Sequence, residues 1–182
     1  MLVALDANDL LTLDLRYATP DNVTGRPIYT RPIALLLQDA SQRLLAAAAR
    51  ARALGLRLRV FDAFRPVEAQ WALWHAIEDK NFVGDPRGGA VHPRGAAVDL
   101  TLEDAGSGQP LEMGTGFDSM TARSAHASTD IPADALRNRA LLLGVMTAAG
   151  WEHHPLEWWH YQLAGAHRFP AFCASAVPGG PM

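Results

Sequence analysis

Residues 96–102 read Ala-Ala-Val-Asp-Leu-Thr-Leu, and no other stretch limits the possible folds as tightly. Val98, Leu100 and Leu102 recur at every second position, which sets them on one face of a strand. Asp99 falls on the other face and is the one charge in the run. A carboxylate in so aliphatic a strand normally has a partner or a metal, because an uncompensated buried charge is costly. The chain has 182 residues and a single cysteine, Cys173, so no internal disulfide can staple it. One hydrophobic core in a single domain is the expectation, and hydrophobic residues at 49% are enough to build it.

The formal net charge of -3 gives no electrostatic reason to expect nucleic acid or an anionic membrane as a partner. No apolar run approaches the ~20 residues that a spanning helix needs. Met1 to Asp6 has no positive flank before its apolar residues, and Asp6 and Asp9 interrupt them, unlike a signal peptide. Together with the single cysteine, this leads us to expect a cytoplasmic location, or a periplasmic one if a leader has been trimmed away.

Residues 14–32 are rich in turn formers and read as an extended loop. From Ile33 to about Arg52 the spacing of Leu37, Ala40, Leu44 and Ala47 predicts a helix, closed by Gly55. Leu56 to Phe61 alternates as a strand. Pro66 suits the first turn of a helix over Val67 to Asp79. Residues 81–95 are Gly- and Pro-rich loop, 103–133 mostly irregular, and Ala135 to Ala149 helical. Glu157 to Leu163 has the aromatic content of a strand. The core spans about 14–169, and the tail over 170–182 reads as loose. Helices and strands mix without βα alternation, so the fold class is α+β.

His92-Pro-Arg-Gly-Ala-Ala-Val-Asp99 places an imidazole in a loop and a carboxylate in the strand after it, with Gly95 to turn the chain between them. His160, in Glu157-Trp-Trp-His160, would complete a set of two histidines and one carboxylate. Such a set leaves a fourth position open, as catalytic zinc sites do. Glu157 could then act on a water without binding metal. The same segment also reads as an aromatic-rich buried strand. A tension accompanies the first reading: residues three apart in a regular strand face opposite sides, so Glu157 and His160 converge only where the strand begins or bulges. Arg65, in Asp62-Ala-Phe-Arg65-Pro66, is suited to stabilising an oxyanion or to pairing with Asp62.

From about Leu15 to Leu163 the chain resembles the zinc D-alanyl-D-alanine dipeptidases, the family that includes the vancomycin-resistance enzymes. Five segments carry the resemblance in order. They are Asp14-Leu-Arg-Tyr-Ala-Thr with Asp21-Asn-Val-Thr-Gly, then Asp62-Ala-Phe-Arg-Pro66, His92-Pro-Arg-Gly-Ala-Ala-Val-Asp-Leu-Thr-Leu102, Met113-Gly-Thr-Gly-Phe-Asp118 and Glu157-Trp-Trp-His-Tyr161. The resemblance implies one zinc ion held by His92, Asp99 and His160, with Glu157 as base and Arg65 steadying the transition state. It also implies Asp118 on the ammonium of a small dipeptide, with Tyr17 at the same end. The fold implied is a mixed α+β domain with a central antiparallel sheet.

The chain departs from the family where Ala90 replaces a serine two residues before the first metal histidine. That serine offers its hydroxyl to the substrate carboxylate, so the contact is expected to be weakened or recovered elsewhere, from the N–H groups of Gly88 and Gly89 before Arg94. The loop before His92 is also shorter than in the resistance enzymes. Three other readings stay open on sequence. A D,D- or L,D-carboxypeptidase would use the same zinc site. A non-haem iron oxygenase would more usually carry His-x-Asp and would leave Glu157 idle. A metal-stabilised binding domain would need neither Glu157 nor Arg65.

Overall fold

The expected strand around Asp99 lies at the centre of the protein. A computed structural model describes residues 1–182. In chain order the strands are β1 (Leu2–Ala4), β2 (Leu11–Leu13), β3 (Leu35–Leu37), β4 (Leu56–Asp62), β5 (Ala97–Asp104), β6 (Trp151–His154) and β7 (Glu157–Leu163). The helices are α1 (Gln38–Ala53), α2 (Val67–Ala76) and α3 (Ala133–Ala148). Five strands form one sheet in the order β2-β4-β5-β7-β6, and β1 pairs with β3 in a separate ribbon. The fold is α+β, as the mixed pattern predicts. The main sheet is antiparallel from β4 to β6, but β2 joins β4 in parallel, which makes that edge mixed.

The period-2 pattern of β5 holds. Val98, Leu100 and Leu102 join the core with Leu58 and Val60 of β4, Leu44, Ala47 and Ala51 of α1, and Leu142, Val145 and Met146 of α3. Burying each Leu or Val of this core contributes about 1.5–3 kcal/mol. The other face of the sheet is polar yet also covered. Arg57 and Arg59 of β4 stand there beside Thr101 and Glu103 of β5. Glu103 is fully buried and accepts from Thr12 and both arginines, so its charge is compensated.

Three expectations need correction. The helix predicted from Ile33 begins at Gln38, because Leu35–Leu37 pair with Leu2–Ala4 as a strand. Helix α2 ends at Ala76, three residues early. The tail expected to be loose is tied down. Phe172 N–H donates to Pro93 and accepts at its carbonyl from Val67, and Thr30 and Arg31 both donate to the Pro181 carbonyl.

Candidate active site

His92 opens a single 3-10 turn, His92–Arg94, that closes on Gly95 in the left-handed region at φ 64°. A Cβ there would also stand 3.2 Å from the Leu37 backbone nitrogen, tighter than most real contacts, so glycine is favoured on two counts. The turn delivers His92 to the end of β5. Across the sheet, β7 sets His160 directly opposite Asp99. His92 Nε2 lies 3.3 Å and His160 Nδ1 3.0 Å from Asp99 Oδ1, and the two ring nitrogens are 3.2 Å apart. Ligands at zinc distances on a tetrahedron have edges of about 3.3–3.6 Å. The three atoms are therefore spaced close to three corners around one ion, and all three residues are buried.

The surroundings leave the right nitrogens free. His92 Nδ1–H donates to the Ala63 carbonyl at 2.7 Å, so Nε2 keeps its lone pair. His160 Nε2–H points at Gln162 Oε1, 3.4 Å away, which leaves Nδ1 for a metal. Asp99 is buried, and Arg65 Nη2 donates to its Oδ2 at 3.3 Å, which compensates the carboxylate charge.

Glu157 is the first residue of β7, and the tension over its direction is resolved by a bulge. His153 pairs with Tyr161, yet the next residue, His154, pairs with Glu157. Residues 158–160 are thus extra on β7, and the shift lets Glu157 and His160 face the same space. Glu157 Oε2 stands 3.9 Å from His160 Nδ1, beside the ligand atoms and outside their set. Burial, followed by the charges of Asp99 and Asp118, pushes its carboxyl well above the usual range.

Arg65 is buried and holds two carboxylates from neighbouring strands. A register shift after Val60 sets Asp62 opposite Asp99. Arg65 Nε and Nη2 donate to Asp62 Oδ2 at 2.9 and 2.8 Å, and Nη2 reaches Asp99 Oδ2 at 3.3 Å. Nη1 donates to Gln70 at 3.0 Å, and the guanidinium lies 4.9 Å from the centre of the Tyr17 ring. The pairing with Asp62 and the approach to Asp99, one of the three candidate metal-holding residues, thus occur together. Tyr29, whose hydroxyl donates to Asp62 at 2.7 Å, and Gln70 complete this cluster. Sequence reasoning missed both, although Gln70 lies only five residues beyond Arg65.

At another side Tyr17 donates to Asp118, its hydroxyl 3.0 Å from both carboxylate oxygens. Asp118 has φ 58°, the one non-glycine residue at positive φ, so its backbone is strained in exchange for its position. Burial and then the charge of Asp99 push its carboxyl up to about 7. Between about 4 and about 7 the folded protein binds the proton that the unfolded chain has released, so this group lowers stability as pH rises through that window. His126 and His154, kept neutral by burial with pKa values of about 4, act the opposite way up to 6.5. Asp118→Asn, a residue that tolerates the left-handed region, is therefore expected to gain Tm over the native metal-free protein as pH rises from 4 to 7. A constant Tm difference across that range would refute the assignment.

The loop before His92 corrects another expectation. The N–H groups of Gly88, Gly89 and Ala90 all converge on the Asp85 carbonyl at 3.1, 2.8 and 2.9 Å, so the two glycines have no free donor for a ligand. Each of the three Arg94 guanidinium nitrogens donates to a carbonyl, those of Ala90, Gly88 and Phe169. All the predicted site residues, His92, Asp99, His160, Glu157, Arg65, Asp118 and Tyr17, line one cavity of about 480 Å³.

Comparison with known proteins places related sequences beside this chain. The family description of peptidase M15, D-ala-D-ala dipeptidase, matches residues 7–175. A D-alanyl-D-alanine dipeptidase of Escherichia coli is 42% identical over 160 residues, covering 88% of this chain and 82% of that protein. Proteins of the same name from Enterococcus faecium and Streptomyces coelicolor are 32% and 33% identical, each covering 82% of this chain and 84% of the relative. No helix is long and apolar enough to cross a membrane.

Proposed function

The chain belongs to the peptidase M15 family of D-Ala-D-Ala dipeptidases, and on that footing we propose that it is a zinc dipeptidase hydrolysing D-alanyl-D-alanine or similar small free dipeptides. The observation that carries the reading is the convergence of His92 Nε2, Asp99 Oδ1 and His160 Nδ1 with the Glu157 carboxyl beside them. A zinc ion held by those three atoms supplies Lewis-acid activation of a water and of the scissile carbonyl. Glu157 takes a proton from the attacking water on its carboxylate and passes it to the leaving amine. Arg65 has five N–H donors, and its contacts to Asp62, Gln70 and Asp99 leave one Nη1–H for the carbonyl oxygen as charge develops there. Asp118, oriented by Tyr17, receives the ammonium of the substrate.

A hydrolysis panel on zinc-loaded protein tests the reading: D-Ala-D-Ala, L-Ala-L-Ala, mixed dipeptides and an N-acetylated control. Free D-Ala-D-Ala should be cleaved and the acetylated form rejected, because acetylation removes the charge that Asp118 receives. Equal cleavage of both would favour a D,D- or L,D-carboxypeptidase acting on cell-wall peptides. No cleavage of any dipeptide would overturn the proposal.

Replacing Arg65 should lower kcat by roughly 10²–10³, as removal of other oxyanion donors does. Arg65→Lys keeps a cation between Asp62 and Asp99 and is the variant to measure. Arg65→Ala should also unfold more easily, since breaking a buried ion pair costs about 3–5 kcal/mol. An effect confined to KM would limit Arg65 to substrate binding.

A further inference from the structure

His154 lines the cavity, yet nothing in the proposed chemistry uses it. It ends β6, pairs with Glu157 across the hairpin, and stands edge-on to His160 with ring centres 5.6 Å apart. Its Nδ1 is shut away from water with no hydrogen-bond partner. Nε2 has none within the protein either and is not shut away, so the proton is best placed on Nε2, where the cavity can supply an acceptor.

A free dipeptide brings a carboxylate as well as an ammonium, and Asp118 accounts only for the ammonium. Ala90 has no side-chain donor to offer. Around that position the N–H groups of Gly88, Gly89 and Ala90 are taken by the Asp85 carbonyl. Lys80 and Asn81 line the cavity but are exposed, and they already donate to Trp74, Ile77 and Asp79. His167 also lines the cavity but is exposed, so water already satisfies it. His154, by contrast, is set by a strand and packed against a metal-ligand ring, which places its donor before a ligand arrives.

We propose that His154 holds the C-terminal carboxylate of the dipeptide through Nε2–H, in place of the hydroxyl that Ala90 lacks. The inference rests on the dipeptidase reading and names a specificity residue for that same cavity.

The test is calorimetric binding of D-Ala-D-Ala and of its C-terminal amide to zinc-loaded Glu157→Gln, which binds without turnover, with and without a change at His154. His154→Ala should weaken the free dipeptide by roughly 10-fold or more, the lower end for a hydrogen bond to a charged group. The amide should change little, so the preference for acid over amide collapses. His154→Asn retains an N–H, should recover part of that preference, and guards against a folding defect in the alanine variant. Equal weakening of acid and amide would mean that His154 only packs the hairpin, and an unchanged preference would mean that another group holds the carboxylate; either overturns the proposal. If Glu157→Gln with His154 intact binds neither ligand while retaining zinc, the dipeptidase reading itself fails, an outcome distinct from the other two.

Discussion

Glu157→Gln is expected to keep its metal and its dipeptide and to lose roughly 10²–10⁴-fold in kcat, the range for a positioned general base. The substitution changes an oxygen to an amide and little else in shape. Glu157 sits outside the three ligand atoms, with Oε2 3.9 Å from His160 Nδ1, so metal content should not follow the change. In the metal-free protein, burial and the neighbouring Asp99 and Asp118 raise its affinity for a proton. Three measurements separate the possibilities: metal content by atomic spectroscopy, dipeptide affinity by calorimetry, and kcat. A near-native kcat would assign the base elsewhere. Loss of metal would make Glu157 a ligand instead.

Alanine at His92, Asp99 or His160 should strip the metal and with it essentially all hydrolysis. The native protein should carry about one zinc per chain, as one three-ligand site implies. Each ligand is supported from behind, His92 by the Ala63 carbonyl, Asp99 by Arg65 and His160 by Gln162, so deleting one leaves the other two in place but too few to close the site. Asp99→Ala should be the most damaging to folding, because it leaves the buried Arg65 with one carboxylate in place of two. Full zinc retention in all three variants would remove the metal site from the account.

Much of this architecture is written in local pattern. The alternation of Val98, Leu100 and Leu102 around Asp99 marks a strand with an apolar face and a charged one, and β5 has that form. Gly95 marks the turn that returns His92 to Asp99, because glycine takes φ 64° without strain and leaves room for the Leu37 backbone. The aromatic run from Glu157 to Leu163 is a strand with the bounds its composition predicts. Signals of this kind are legible because several residues in sequence share one periodicity.

What tertiary structure alone decided is what depends on pairing between distant segments. Strands β1, β2 and β3 have three residues each, too few to show a period of two against helical spacing, and only their partners make them strands. The tail after Pro170 has no periodicity, yet backbone hydrogen bonds to Pro93, Thr30 and Arg31 pin it. The shift of Asp62 opposite Asp99, and the three extra residues that turn Glu157 toward His160, are cross-strand registers. A register is set by which backbone groups meet, and a one-residue slip sends every side chain to the other face. The identities of Asp62, Arg65, Asp99, Glu157 and His160 were therefore readable as chemistry from the chain. Their meeting at one point was decided by two irregularities in the sheet, and the same hairpin brought His154 into the cavity.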